Sequence, residues 1–181
     1  MMFEPFKPFM ASEFQIKFAT DAWEQQGAAA LRRAVFCGEQ GLFGGDDRDE
    51  IDAIAIPIVA VSLLGMAADE VVGTVRIHQP EPGIWWGSRL AVAADYRRVG
   101  ALGAALIRLA VSSAHARGCR TFLAHVQRQN VPLFRRLNWT TLEEVELHGL
   151  VHHRMRADLA AYPPFAQAEN GFRALARKAA A

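Results

Sequence analysis

The chain has 181 residues, 51% of them hydrophobic and 22% charged, which fits one globular domain with a sizeable core and excludes a disordered protein. The formal net charge of +1 excludes a general electrostatic attraction to nucleic acid or acidic membranes, so any basic site has to be local. The two cysteines, Cys37 and Cys119, lack metal-ligand spacing and are too few for a secreted disulfide framework. With no pattern typical of a signal peptide or of a membrane-spanning segment, the sequence predicts a cytoplasmic protein.

The first half of the chain predicts a strand, a helix and then three strands. Phe14–Phe18 alternates apolar and polar residues, as half-buried strands do. A helix is predicted from Asp21, with Glu24 completing a capping box, to about Cys37. The loop GLFGGDDRDEID follows, and then the strands IAIPIVAVSLL and VVGTVRI, with a turn predicted around Ala67–Glu70. The segment IWWGSRLAVAA predicts one more strand.

The second half predicts a long helix over Gly103–Arg117, a buried strand TFLAHV and a short helix VPLFRRL. Trp139–Arg156 predicts a hairpin that turns at His148–Gly149, and the tail beyond Pro164 predicts an amphipathic or frayed helix. This order indicates the α/β (α+β) class, a mixed sheet with helices on both faces. We expect an N-terminal extension over residues 1–13, one domain over residues 14–160 and a C-terminal tail over residues 161–181.

The segment DYRRVGALGAALIRLA predicts a phosphate-binding turn. The strand RLAV leads into a turn with two arginines and two glycines, and a helix follows at once. The unpaired N–H groups and the positive dipole end of a helix start attract anions, and small residues let a phosphate approach the backbone. The Lys of a P-loop and the GxGxxG of a dinucleotide fold are both absent. The alternative is a glycine-rich helix start that binds no ligand.

Residues Arg98–Gly103 resemble the R/Q-x-x-G/A-x-G/A motif of the GNAT superfamily of N-acetyltransferases, with Ala101 and Gly103 in the small positions. A second register that uses Arg97 and Gly100 puts Leu102 where a small residue belongs. Downstream, LAHVQRQNVPLFRRLNW resembles the strand, Asn-bearing loop and short helix of these enzymes. The stretches LRRAVFCGEQGLF, DRDEID and HHRM resemble the ElaA-like, or nitrogen-starvation, branch.

The resemblance implies acetyl-CoA as co-substrate, bound where two strands, at Arg89–Ala93 and Thr121–Val126, splay apart. A backbone N–H near Val92 would polarise the thioester carbonyl. The general acid of the family, a Tyr, aligns with Phe134, which carries no proton to donate. The residues implied in binding CoA are Leu90, Ala91, Val92, Arg97, Arg98, Val99, Gly100, Ala101, Leu102, Gly103, Ala104, Asn130 and Phe134.

The predicted catalytic residues are Glu39, after the first helix, and His125, on a central strand; Asp52 and His78 are further candidates for the general base. The alternative for His125 is a core histidine with satisfied hydrogen bonds, and for Glu39 a surface carboxylate. We predict no metal, because DDRDEID lacks the glycine and glutamate of a calcium loop and the histidines near the C-terminus lack a completing ligand.

The predicted function is N-acetyl transfer from acetyl-CoA to a primary amine of a small molecule, by direct attack in a ternary complex. One alternative is a non-catalytic CoA-binding sensor, which the missing Tyr favours. Another is an acyltransferase that uses longer acyl-CoA, as acyl-homoserine-lactone synthases do. We expect neither nucleic acid nor membrane as a partner, and a homodimer as a possible assembly.

Overall fold

The structure, a computed structural model, describes residues 9–98 and 101–176. The helices are α1 Ala22–Arg32, α2 Leu102–Ala116 and α3 Val131–Arg136. The strands are β1 Glu13–Phe18, β2 Ile56–Leu64, β3 Ala67–Glu81, β4 Ile84–Val92, β5 Thr121–Gln127, β6 Trp139–Leu147, β7 Leu150–Ala157 and β8 Phe172–Leu175. They form one sheet in the order β6-β7-β5-β4-β3-β2-β1-β8. Every neighbouring pair is antiparallel except β4 and β5, which are parallel.

The central strand β2 is apolar on both faces because a helix covers each face of the sheet there. On β2, Ile58 and Ala60 join the main core with α2, whereas Val59 and Val61 pack in a separate cluster with Ala28 of α1. A strand buried on both faces reads as a continuous apolar run rather than an alternation. The predicted fold class, a mixed sheet with helices on both faces, is confirmed.

Three local predictions need correction. The turn that connects β2 to β3 was predicted around Ala67–Glu70 but lies at Gly65–Met66. Gly65 has a φ of 64°, the positive value that a tight hairpin turn requires. The first helix continues beyond α1 as a π-helical segment, Arg33–Glu39, slightly further than predicted. The tail contains a strand, β8, where a helix was predicted, because β1 offers it a free edge.

Candidate active site

Strands β4 and β5 are hydrogen-bonded partners over only part of their length. Their pairing runs from Ile84 with Thr121 to Gly87 with Ala124. Beyond that point β4 continues to Val92 and β5 to Gln127, so the two strands separate. Over its last five residues, the edge of β4 that faces β5 therefore has no strand partner within residues 9–98 and 101–176. This is the splay that the resemblance to the GNAT superfamily implied, beginning later on β5 than expected.

A β-bulge in β4 lies at the start of the splay. Thr74 pairs with Ala91 and Arg76 with Ser88, so two residues, Arg89 and Leu90, oppose the single residue between them on β3. Arg89 has a φ of 56°, a left-handed conformation that costs a non-glycine residue about 1–2 kcal/mol. Bulges of this kind bend a strand and re-aim its backbone groups.

The contacts of the Arg89 side chain hold the bulge in this conformation. Its Nε donates to Oδ2 of Asp47 at 3.0 Å and its Nη2 to the Asp47 carbonyl oxygen at 3.0 Å. Its guanidinium also lies 4.4 Å from the centre of the Phe43 ring, a cation–π contact. These contacts, made in a largely buried place, offset the conformational cost at Arg89.

A cavity of about 530 Å³ opens at the splay and reaches both faces of the sheet. On the α2 face its wall is apolar, formed by Val75, Ile107, Phe122, Val126, Phe134 and Trp139. On the α1 face the wall is polar and aromatic, formed by Arg76, His78, Trp86, His125, His148 and His152. The cavity thus offers an apolar lobe and a lobe rich in proton acceptors on opposite sides of the gap.

The predicted CoA-binding residues on β4 lie at the splay, but their side chains differ in exposure. Leu90 lines the cavity, and Val92 is half-buried. The Ala91 side chain is buried against Val35 and Phe36 of the π-helical segment. A ligand that lies along Leu90–Val92 can therefore contact the backbone of all three residues, but not all three side chains.

The predicted phosphate-binding turn lies at the start of α2. Ala101 is the N-cap residue, and no described side chain caps the helix there, so the first backbone N–H groups are free to bind an anion. Leu102 is buried in the core, whereas Gly103 and Ala104 are partly exposed. A Cβ placed on Gly103 would meet its nearest atom, from Leu133, at 3.9 Å. Val99 and Gly100 lie outside the described residues.

The structure brings Arg97 and Glu39, which were predicted for different roles, into one exposed ion pair. Arg97 Nη2 lies 2.7 Å from Glu39 Oε2, and Arg97 Nε donates to the Val92 carbonyl oxygen at 2.9 Å. Both side chains are 42% exposed, and Arg98 is exposed as well. The Glu39 carboxylate is thus turned to Arg97 at the end of β4 rather than into the cavity. Its role as a base stays a prediction.

His125 lies on β5 at the cavity, with its ring 4.9 Å from the Trp86 ring. Burial lowers the pKa of His125, and the nearby charges of His152 and Arg154 lower it further. A lowered pKa keeps this imidazole neutral at physiological pH, which is the state that a base needs. Its predicted catalytic role is compatible with this environment and stays a prediction.

The other two base candidates occupy different environments. Burial and the charge of Arg76 lower the pKa of His78, and its Nδ1 is buried without a partner among the described residues. Burial raises the pKa of Asp52, but hydrogen bonds from the Arg32 side chain and the Asp49 backbone lower it by more. The pKa of Asp52 therefore lies well below its usual range. Because two arginines bind Asp52, it is a poor proton acceptor.

Asn130 and Phe134 both line the cavity. Asn130 is exposed at the start of α3. Phe134 is buried on the same helix and contacts Trp139 edge-on, with ring centres 5.1 Å apart. Phe134 therefore packs in the core and also reaches the cavity; its equivalence with the Tyr of the family stays a prediction.

A network of three arginines and three aspartates was not predicted from the sequence. Arg32 of α1, Arg76 of β3 and Arg89 of β4 bind the aspartates of the loop after the π-helical segment, Asp47, Asp49 and Asp52. The signal in the sequence was the arginine inside the apolar strand VVGTVRI, because a buried arginine needs a carboxylate. The acidic loop is thus neutralised by guanidinium groups.

The described residues contain neither a metal-binding cluster nor a membrane-spanning helix. Within residues 9–98 and 101–176, no three His, Cys, Asp or Glu side chains are close enough to hold a metal ion. In the same part of the chain, no helix has the length and apolar character needed to cross a membrane.

Solved structures share this fold at low sequence identity. A protein from Lactobacillus plantarum, provisionally named an N-acetyltransferase, is 20% identical with a TM-score of 0.70, over 80% of this chain and 97% of its own. Escherichia coli ElaA is 19% identical with a TM-score of 0.66, over 80% and 98%. The CoA-dependent acyl-homoserine lactone synthase BjaI, solved with SAM and isopentyl-CoA, is 22% identical with a TM-score of 0.58, over 75% and 74%.

Comparison with curated proteins gives no match. The family described as Acetyltransferase (GNAT) family matches residues 43–139, which includes β2 to β5, the turn before α2 and the start of β6. This match contains both the splay and the predicted phosphate-binding turn, and it confirms the family that the motifs predicted. The chain belongs to the GNAT acetyltransferase family and has its acyl-CoA N-acyltransferase fold.

Proposed function

We propose that this protein transfers the acetyl group of acetyl-CoA to the primary amine of a small molecule, by direct attack in a ternary complex. The observation that carries the proposal is the splay between β4 and β5, which leaves the backbone edge of β4 unpaired beside a cavity. An extended pantetheine arm can bind such an edge as an added strand would. The uncapped start of α2 can bind the pyrophosphate.

In this proposal the backbone of Leu90–Val92 orients the thioester and a backbone N–H of that stretch polarises its carbonyl. The bulge at Arg89 supports this role, because it re-aims the backbone at the point where the strands part. The amine attacks the carbonyl carbon from the polar lobe, where a side chain has to accept its proton. His125 and Glu39 are the candidates for this role that the sequence predicted. Asn130 and the turn before α2, including Arg97 and Arg98, complete the proposed CoA site.

Departure of the thiolate depends less on a proton-transferring side chain than attack by the amine does. A cysteine-like thiol has a pKa of about 8.5, so its thiolate is a tolerable leaving group near neutral pH. Phe134 cannot donate a proton, and protonation by water is then sufficient. A missing general acid costs roughly 10²–10⁴-fold in rate, so we expect a slow enzyme.

Two measurements test the proposal. Calorimetry measures binding of acetyl-CoA, and an assay for free CoA measures turnover with a panel of amines. We expect binding, and turnover with at least one amine. In the variant Gly103→Glu we expect binding to be lost with the fold retained, because a carboxylate would meet the pyrophosphate while the site has room for a side chain. Binding within about threefold of wild type would refute the assignment of this turn. Binding without turnover would favour the CoA sensor.

The apolar lobe favours a second candidate function, transfer of a longer acyl group. Ile107 and Phe122 line this lobe behind the splay, where an acyl chain could enter from the thioester. Comparison of kcat/KM for acetyl-CoA and hexanoyl-CoA separates the two, and Ala110→Phe, which fills the lobe, should impair only the longer donor. A cytoplasmic location and a homodimer stay predictions.

A further inference from the structure

His152 of β7 is a buried histidine at the polar lobe of the cavity. It is 6% exposed and pairs in register with Gln127 of β5. Residues that pair in register lie on the same face of a sheet, and alternate residues of a strand share a face. His152 therefore lies on the same face as His125, and both line the cavity.

The hydrogen bond of His152 fixes which ring nitrogen carries the proton. Its Nδ1 lies 3.0 Å from the carbonyl oxygen of Leu150, and a carbonyl oxygen can only accept, so Nδ1 must donate. In the neutral ring the lone pair is then on Nε2. No described residue hydrogen-bonds to Nε2, and this atom is not sealed from solvent. The backbone thus orients a proton acceptor beside the cavity, as a third group orients the base in a catalytic triad.

We propose that His152 is the general base of the reaction, an assignment that rests on the proposed acyl transfer. The neutral amine attacks the thioester carbonyl carbon, and as the C–N bond forms its nitrogen becomes positively charged and acidic. Nε2 of His152 takes one proton from that nitrogen, the C–S bond breaks, and CoA leaves as a thiolate. His152 then returns its proton to the thiolate through water, so the products are the amide and CoA with a free thiol.

The two residues predicted from the sequence are less well arranged for this step. The His125 ring contacts Trp86 at an interplanar angle of 43°, is more exposed than His152, and has no hydrogen bond among the described residues that would fix its tautomer. The Glu39 carboxylate is bound by Arg97. His152 combines burial, a fixed tautomer and access to the cavity, which neither of the others does.

Several charged or titratable groups face His152. On the same face of the sheet these are His125 of β5, Arg154 of β7 and Glu143 of β6. The hairpin residue His148 and, across the cavity, Asp49, Arg76, His78 and Arg89 line the same space. Because so many charged groups surround His152, kcat values of the variants are compared with wild type at a single pH.

His152→Asn tests the assignment, because the Asn amide can still donate to the Leu150 carbonyl while Nε2 is removed. His153→Asn is the matched control: the same substitution one residue away, on the opposite face, where His153 contacts Thr141 and Glu144 instead of the cavity. We expect His152→Asn to lower kcat by at least about 100-fold, with unchanged CoA affinity and melting temperature. His153→Asn should keep the wild-type kcat.

A nitrogen-15 NMR spectrum of the imidazoles gives a readout that does not depend on activity. We expect the neutral His152 ring to carry its proton on Nδ1, and a proton on Nε2 would overturn the assignment. An active wild-type enzyme with an unimpaired His152→Asn variant would overturn this assignment alone. A wild-type enzyme that binds acyl-CoA but acylates no amine would overturn the proposed function, and the assignment with it.

Discussion

Asp47 binds both Arg89, in the bulge of β4, and Arg32 of α1. Its Oδ2 accepts a hydrogen bond from Arg32 Nε at 2.7 Å and one from Arg89 Nε at 3.0 Å. The side chain is 1% exposed, so its charge is out of water and depends on these two guanidinium groups. A carboxylate so placed stabilises the fold and also positions the backbone of Arg89 next to the proposed thioester site.

Asp47→Asn should therefore lower both stability and activity. Removal of one partner from a buried ion pair leaves uncompensated charge and costs about 3–5 kcal/mol. Asp46→Asn is a suitable control, because Asp46 and its partner Arg48 lie exposed in the same loop, where ion pairs contribute at most about 1 kcal/mol. Urea unfolding measures both, and equal losses in the two variants would contradict a special role for Asp47.

Phe134 is the residue that we predict to stand where the family has its general acid. Phe134→Tyr would restore a phenol at this predicted acid position, on a ring that is buried but reaches the cavity. We expect kcat at saturating acetyl-CoA to rise or stay unchanged, with some loss of stability if the hydroxyl lacks a partner. Kinetics and a melting curve are measured together. A folded variant with a kcat tenfold lower would show that Phe134 packs against the substrate instead.

At the scale of elements, β8 depends on a close approach between Gly171 and β1. Gly171 precedes β8 with a φ of 68°, and a Cβ added there would lie 1.7 Å from the Ile16 carbonyl oxygen. Only a residue without a side chain fits both the space and the conformation. The short strand that follows then covers the edge of β1, with Phe172 and Ala174 packed against the core.

Gly171→Ala should release β8 from β1. Gly118→Ala is the matched control, because Gly118 also has a positive φ, 85°, but nothing within 4 Å of the added Cβ. The control should show only the conformational cost of about 1–2 kcal/mol, and Gly171→Ala should lose more. Amide hydrogen exchange in β1 and β8 should accelerate in Gly171→Ala alone. Equal stability of the two variants would contradict the steric argument.

At the scale of the whole molecule, the acidic loop joins a helix and two strands of the sheet. It binds Arg32 of α1, Arg76 of β3 and Arg89 of β4. Hydrogen bonds from the Arg76 side chain lower the pKa of Asp49. The pKa of Asp52 is also lowered, as hydrogen bonds outweigh burial. A lowered carboxyl pKa adds stability above the unfolded value, and this stability is lost as pH falls through the folded value.

The free energy of unfolding should therefore fall as pH drops from about 5 to about 3. Asp49→Asn should be less stable than wild type at the upper pH, because Arg76 loses a partner, but should fall less steeply toward the lower pH. Urea unfolding at both pH values measures the two slopes. The same slope in both proteins would show that Asp49 does not contribute to the acid response.

The sequence by itself determined the family, the order of the main elements up to β7 and the turn before α2. These features are local, since alternation, helical spacing and a motif of six residues can each be read within one stretch. Periodicity predicted β1, α2 and β5 for that reason. It missed the turn at Gly65, because several small and polar residues in that region compete for the turn position.

Only the tertiary structure decided how distant residues meet. Arg76 binds Asp49 from 27 residues away and Arg89 binds Asp47 from 42 residues away, separations over which no local pattern acts. The strand β8 forms because the edge of β1 is available to it, not because its own sequence demands a strand. The same holds for the histidines: residues 152 and 153 are adjacent in sequence, and only the register of β7 against β5 turns His152 toward the cavity and His153 away from it.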